Sequence, residues 1–469
     1  MTASCLPQLC QIAGKPVLAR HDAVFCVAAI REYFRQNRPQ EFAGPEPLLT
    51  PRFAEILQQL DMQTGISFAG EYFLFVYSLA DEYKQVQERI ETHIARPYRD
   101  WLLGLRLALP RLPLAAASRT DYLFLCRHAT ISGGYAPGGS VYSFSEALLA
   151  SGARMAIASF GQIDSAFMEL QKTHPGLSLF ALAEKQLVPR MEELLRLIVE
   201  ARPRVILTEI EFDLPSVLSI LQLPVPIIYL SAGYYCLPWY DRIGLTTTLS
   251  DQPAGNRQED YFEIPTFLHP SVMNPPVAGE KLAGMRAELG ISPEDFVFGA
   301  FARMEKFSPD FLDLCAGLLA CNPRAKLILA GPNDRQPVTA RLADQTASGR
   351  ALILGQSDAH LLGNLMDCGL DTFPTHSGFS VMELMAKSVP VLAWHSPGID
   401  GNWKMRCPAS LFDSKEELKA AFNRLVADAS YQAELAAETA RFMQSQQDAL
   451  DFVKTLNAVS KELQNRPDG

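Results

Sequence analysis

The sequence predicts an α/β protein with two doubly wound, Rossmann-like parallel sheets, preceded by an α-helical domain. Three observations predict it. From Asp121 onward, short apolar runs alternate with amphipathic helical stretches, the pattern of strands buried on both faces between crossover helices. The alternation breaks off in a proline-rich stretch, 251–280, and then restarts. The chain has 469 residues, more than one hydrophobic core organises.

Residues 1–117 read as the helical domain. "HDAVFCVAAIREYFRQN" (21–37) starts apolar and ends charged, and "EYFLFVYSLADEYKQVQERIETHI" (71–94) does the same, as in helices leaving a core. Thr50 and Pro51 offer an N-cap and a first helical position for "TPRFAEILQQL" (50–60). The two prolines of "LALPRLPLAAASRT" (107–120) mark a linker. The first sheet domain, 118–275, takes strands from 121–126, 154–160, 204–210 and 225–230, with helices at 140–152, 188–201 and 214–223. Residues 214–240 carry no charge, but Pro215, Pro224, Pro226 and Pro238 interrupt them, so a buried helix and strand fit better than a membrane span. The second sheet domain, 276–469, takes strands from 296–302, 325–331, 351–355, 369–373 and 389–394, helices from 309–322, 359–368 and 379–388, and a polar helical tail over 414–463.

Composition narrows the function. The net charge is −10 with no dense Lys/Arg block, which argues against nucleic acid or an anionic membrane as partner. Nine cysteines are scattered without a C-x-x-C pair, which argues against a disulfide framework or a zinc site and for a reducing, cytoplasmic setting. The N-terminus lacks the basic-then-apolar order of a signal peptide.

In a doubly wound sheet the ligand sits beyond the carboxyl ends of the strands. The small-residue turn 374–380 lies at such an end, where His376, Ser377, Gly378, Phe379 and Ser380 let a ligand approach the backbone and the next helix offers free amides to a phosphate. Glu383, about one turn in, suits a ribose hydroxyl; the same residues equally fit a helix whose Glu favours its own N-terminus. Arg303 and Lys306 follow the strand 296–302 and could neutralise a departing diphosphate, or form a solvated basic pair beside Glu305. The glycine-rich stretch 126–144 is not G-x-G-x-x-G, so the dinucleotide fingerprint is absent. Within it His128 is placed for a general base or for a backbone hydrogen bond, and Glu209, Glu211 and Asp213 in "TEIEFD" (208–213) offer alternatives. No D-x-D occurs, so no metal ligand is assigned; two cations could take the metal's place.

"CGLDTFPTHSGFSVMELMAKSVPVLAW" (368–394) resembles the nucleotide-sugar segment of the O-GlcNAc transferase family and its bacterial adhesin N-glucosyltransferase relatives. The matching positions are Leu370-Asp371-Thr372, the 374–380 turn, Glu383 and Pro390-Val391; "FARMEKFSP" is similar to the segment whose lysine, here Lys306, contacts the diphosphate. Where the family has Gly-His-Pro this chain has Ala232-Gly233-Tyr234. The resemblance implies a GT-B architecture, with the two Rossmann-like domains facing each other. It implies metal-independent transfer from a UDP-sugar, with no cofactor, to a protein side chain. Lys306 and Arg303 would sit at the diphosphate, Glu383 at the ribose and Gln356 near the base. The helical domain would serve the acceptor. A nucleotide-sugar epimerase or hydrolase, or a non-catalytic partner subunit, are the alternatives on the same frame.

Overall fold

The structure, a computed structural model, describes residues 5–36, 49–78, 89–105, 119–131, 136–184, 187–209, 225–231, 242–245, 261–264, 269–374, 376–395, 405–446 and 449–465. The helix expected over 214–223, most of the linker at 107–120, Glu211, Asp213 and the Ala232-Gly233-Tyr234 turn lie outside them. The chain divides into two compact units: Met1–Ala129 with Leu148–Ile264 and Lys454–Gly469, and Thr130–Ala147 with Pro265–Val453.

Among the described residues the first unit holds seven parallel strands: β1 (Thr120–Cys126), β2 (Met155–Ser159), β3 (Leu177–Ala181), β4 (Pro203–Thr208), β5 (Ile227–Ser231), β6 (Arg242–Leu245) and β7 (Tyr261–Glu263). They lie in the order β3-β2-β1-β4-β5-β6-β7. The central strands are the apolar ones: every residue of β2, and β1 from Tyr122 to Cys126, is buried. β3, β6 and β7 are not expected from the sequence. β3 is an edge strand with only Leu177 buried, so its run "LSLFA" lacks the continuous apolar signal of a central strand.

The helices before residue 105 share a core with this sheet. Phe53, Phe68 and Tyr72 cluster with ring centroids 5.2–5.8 Å apart, and their core continues to Leu123 and Leu125 of β1 and Leu194 and Ile198 of the helix Leu187–Ala201. Thr50 does not cap a helix. It opens a 3₁₀ turn, Thr50–Arg52, and its buried hydroxyl lies 3.0 Å from the Tyr72 hydroxyl. Burial explains the change of role, because a hydroxyl removed from water needs a partner wherever one is near.

Among its described residues the second unit holds six parallel strands: β8 (Phe296–Phe301), β9 (Ala325–Ala330), β10 (Ala351–Leu354), β11 (Cys368–Leu370), β12 (Val391–Trp394) and β13 (Leu411–Phe412), in the order β10-β9-β8-β11-β12-β13. The chain winds outward from β8 in one direction, then returns to β11 and winds in the other. The switch point therefore lies between β8 and β11, which pair directly, and that is where this class of sheet binds ligands. The helix Phe379–Met385 lies close on the sheet over Gly369, where an added Cβ would come within 2.8 Å of Leu384 Cδ1 and 2.9 Å of Val391 Cγ2.

The polar tail is three helices, Lys415–Ala427, Ala429–Gln446 and Ala449–Gln464. Ser414 caps the first by accepting from the Glu417 amide, and Asp428 caps the second by accepting from the Ser430 and Tyr431 amides. In the third, Phe452 is fully buried against Phe144, rings 4.6 Å apart, and Asn457 accepts a hydrogen bond from the Tyr122 hydroxyl at 2.7 Å. No described helix is long and apolar enough to cross a membrane.

Candidate functional site

The two segments flanking the switch point of the second sheet are joined. After β8 the chain makes a 3₁₀ turn, Met304–Lys306, with Arg303 at its N-cap, because Met304 turns into the core while Arg303 and Glu305 stay exposed. Lys306, half-buried, donates from Nζ to the His376 carbonyl at 2.9 Å. Burial lowers the Lys306 ammonium to about 8; the charges of Arg303 and Arg406 push the same way, and Asp371 opposes them.

The turn after β11 is built on Asp371, whose side chain is inaccessible to solvent. Its Oδ1 accepts from the Ser377 amide at 2.9 Å. Its Oδ2 takes the His376 ring nitrogen Nδ1 at 2.9 Å and the Arg406 guanidinium, from Nε at 3.0 Å and Nη2 at 2.8 Å. Arg406 Nη2 also donates to the Ser377 carbonyl. Burial alone would raise the Asp371 carboxyl, but the Arg406 charge, the His376 hydrogen bond and charge and the Ser377 amide outweigh it, and it ends well below the ordinary carboxylate range. The Ser377 hydroxyl lies 3.0 Å from that of Thr372, and Ser308 donates to the Phe373 carbonyl at 2.7 Å.

The sequence-derived residues thus fall into three groups. Lys306, His376 and Ser377 are linked through hydrogen bonds, with Arg303 close enough to act on Lys306 electrostatically. The His376 imidazole turns inward to Asp371, and the Ser377 hydroxyl faces Thr372. Gly378 is the exposed N-cap of the helix Phe379–Met385, so no side chain caps it, and Phe379 and Ser380 form its half-buried first residues.

Glu383 belongs to a second cluster, one turn further along that helix. Burial raises its carboxyl to about 7; Lys387 works against the rise and Asp358 adds to it. Among the described residues no side chain or amide hydrogen-bonds its carboxylate. Lys387, lowered to about 8 chiefly by burial, donates to the Met273 carbonyl at 2.6 Å and the Glu383 carbonyl at 3.0 Å, and lies 3.3 Å from His360 Nδ1. Gln356 is exposed beyond β10, two residues before Asp358, so the loop after β10 and Glu383 share one neighbourhood.

His128 lies in the first unit, at the end of β1. Its Nδ1 accepts from the Gln162 amide at 3.3 Å, and the ring lies so close to Gly161 that a Cβ there would meet Nδ1 at 2.2 Å. A neutral imidazole held this way carries its proton on Nε2. Glu209, at the end of β4, accepts from the Arg127 amide at 2.9 Å.

Asp371 and Arg406 carry the geometry of the turn, and the sequence reading gave neither a role. A carboxylate directly after a buried strand was a usable signal for Asp371. Arg406 had none, since 35 residues separate it from its partner. Among the described residues no group of three His, Cys, Asp or Glu side chains could hold a metal ion.

No protein-family model matches the chain, and no curated protein matches its sequence. Solved structures do match its fold. The O-GlcNAc transferase of Thermobaculum terrenum aligns over 99% of this chain and 98% of its own, with a TM-score of 0.55 at 15% identity. HepE of Anabaena, in complex with UDP and glucose, aligns over 73% of this chain and 100% of its own, with a TM-score of 0.52 at 18% identity. A glycosyltransferase from Rickettsia africae aligns over 74% of this chain and 100% of its own, with a TM-score of 0.55 at 14% identity.

Proposed function

We propose that this chain, whose fold is GT-B, is a glycosyltransferase that moves a sugar from a UDP-sugar to an acceptor without a metal ion. The observation that carries the reading is the pairing of two features in the second unit. Lys306 and Arg303 stand at the switch point of the sheet, and Glu383 on the adjoining helix is a half-buried carboxylate with no hydrogen-bond partner among the described residues. A protein keeps such groups, costly to bury, where a ligand supplies what is missing. The cations offer charge to a diphosphate leaving group, and the carboxylate offers an acceptor to ribose hydroxyls. His376, Ser377, Gly378, Phe379 and Ser380 form the wall beside the phosphates, and Gln356 lies on the side of the base.

The UDP bound in HepE supports the choice of nucleotide, and the full-length likeness to an O-GlcNAc transferase supports a protein side chain as acceptor. Acceptor binding is assigned to the first unit, with the helical residues 1–117 contributing. There the proton is taken at the ends of β1 and β4, where His128 and Glu209 lie. The tautomer that the Gln162 amide favours leaves His128 a donor at Nε2, so His128 acts as base only if that amide contact is released.

UDP at about a hundred times its dissociation constant should stabilise the protein by roughly 2.7 kcal/mol, read as a rise in Tm. Lys306→Ala should weaken UDP binding and lower kcat by about 10²–10³-fold, the range for removing one stabiliser of developing negative charge. The absence of a thermal shift with every nucleoside diphosphate overturns the reading; a fully active Lys306→Ala overturns the role of Lys306.

A further inference from the structure

The turn between β11 and the helix Phe379–Met385 has its backbone fixed from both sides. Lys306 holds the His376 carbonyl, Asp371 holds the Ser377 amide, and Arg406 holds the Ser377 carbonyl. Arg406 also makes two of the three contacts to Asp371 Oδ2, and the His376 ring nitrogen makes the other. It is 3% exposed, so it does not itself reach a ligand in solvent. Its effect on the site is indirect but twofold. Through Asp371 and Ser377 it sets where the His376 carbonyl sits, and hence where the Lys306 ammonium is docked. As a third cation near Lys306 and Arg303, it also adds to the positive charge acting on the Lys306 ammonium, which Asp371 opposes.

We infer that Arg406 is a positioning residue for the diphosphate: acting through Asp371 and the Ser377 carbonyl, it holds the turn on which Lys306 is docked. The inference rests on the nucleotide-sugar reading above and adds a residue to it. It has a selective consequence. Glu383 and Gln356, assigned to ribose and base, lie outside the Arg406 network, so loosening the turn should cost affinity for the phosphates and leave the nucleoside alone.

The test compares UDP with uridine by calorimetry on wild-type protein and Arg406→Lys, which keeps the charge but loses the two-armed geometry. The expected result is a UDP Kd raised about tenfold, as for a lost charge-assisted hydrogen bond, with the uridine Kd changed less than about twofold. A general loss of structure would move both ligands together. Equal effects on the two, or no effect on either, overturn the inference while UDP binding by the wild type keeps the nucleotide reading intact. Should Arg406→Lys fail to fold by circular dichroism, Asp371→Asn, of the same shape, decides. A selective loss of UDP affinity supports the positioning role, and an unchanged ratio of the two Kd values overturns it. A wild type that binds neither ligand overturns the nucleotide reading and this assignment with it.

Discussion

Glu383 and Lys306 share a pattern: each is an ionisable group drawn toward neutrality by burial. For Glu383 the folded-state value, about 7, stands above the ordinary 4.5. Between those values the folded chain holds a proton that the unfolded chain has released, so stability falls as pH rises through that window. Below it both states are protonated, and the penalty is absent; above it both are ionised, and the penalty is complete. Glu383→Gln should therefore be more stable than wild type at pH 8, by up to about 3 kcal/mol from the conversion of pKa to free energy, and match it near pH 4. Denaturant titrations at the two pH values check this. The same variant should bind UDP about tenfold or more weakly, since a neutral amide replaces a charged acceptor. A gain in stability coupled to a loss of binding is the mark of a group kept for a ligand and not for the fold.

At the scale of elements, the helix Phe379–Met385 carries Glu383 and follows the fixed turn, so its height above the sheet matters to both. Gly369 sets that height. Gly369→Ala places a methyl against Leu384 and Val391 and should destabilise by about 1–3 kcal/mol through overpacking, with weaker UDP binding as the helix lifts. Chemical denaturation and calorimetry on one preparation test both. The second sheet is also where the sequence was most legible. β8 and β9 lie where their apolar runs predict, because strands buried on both faces leave continuous signals; β10, an edge strand with only Ala351 buried, was legible because its run Ala351–Leu354 is apolar throughout. The edge strand β3 and the two-residue β13 bury less, β6 and β7 are only four and three residues long, and none of the four was legible. The candidate site was readable where chemistry sits next to a strand end, as at Lys306 and the 374–380 turn. It was unreadable where chain-distant partners complete it: nothing local to Arg406 announces Asp371. The Thr50 cap failed for a related reason, because Tyr72, 22 residues on, supplies a competing partner.

For the molecule as a whole, the helix Ala449–Gln464 is the element whose loss should be felt most widely, since its residues belong to both units. Phe452→Ala removes a fully buried ring stacked on Phe144 and should cost about 3–5 kcal/mol, measured by urea denaturation; a cost below about 1 kcal/mol would mean that the site collapses to fill the gap. The division of the chain has a further consequence. During synthesis, Tyr122 leaves the ribosome more than three hundred residues before Asn457, its hydrogen-bond partner. The first unit therefore waits, with the Tyr122 hydroxyl lacking its Asn457 acceptor, until the whole second unit has been translated. Neither unit can be expressed as a continuous segment that keeps all of its own contacts, and a premature stop anywhere in the second leaves the first incomplete as well.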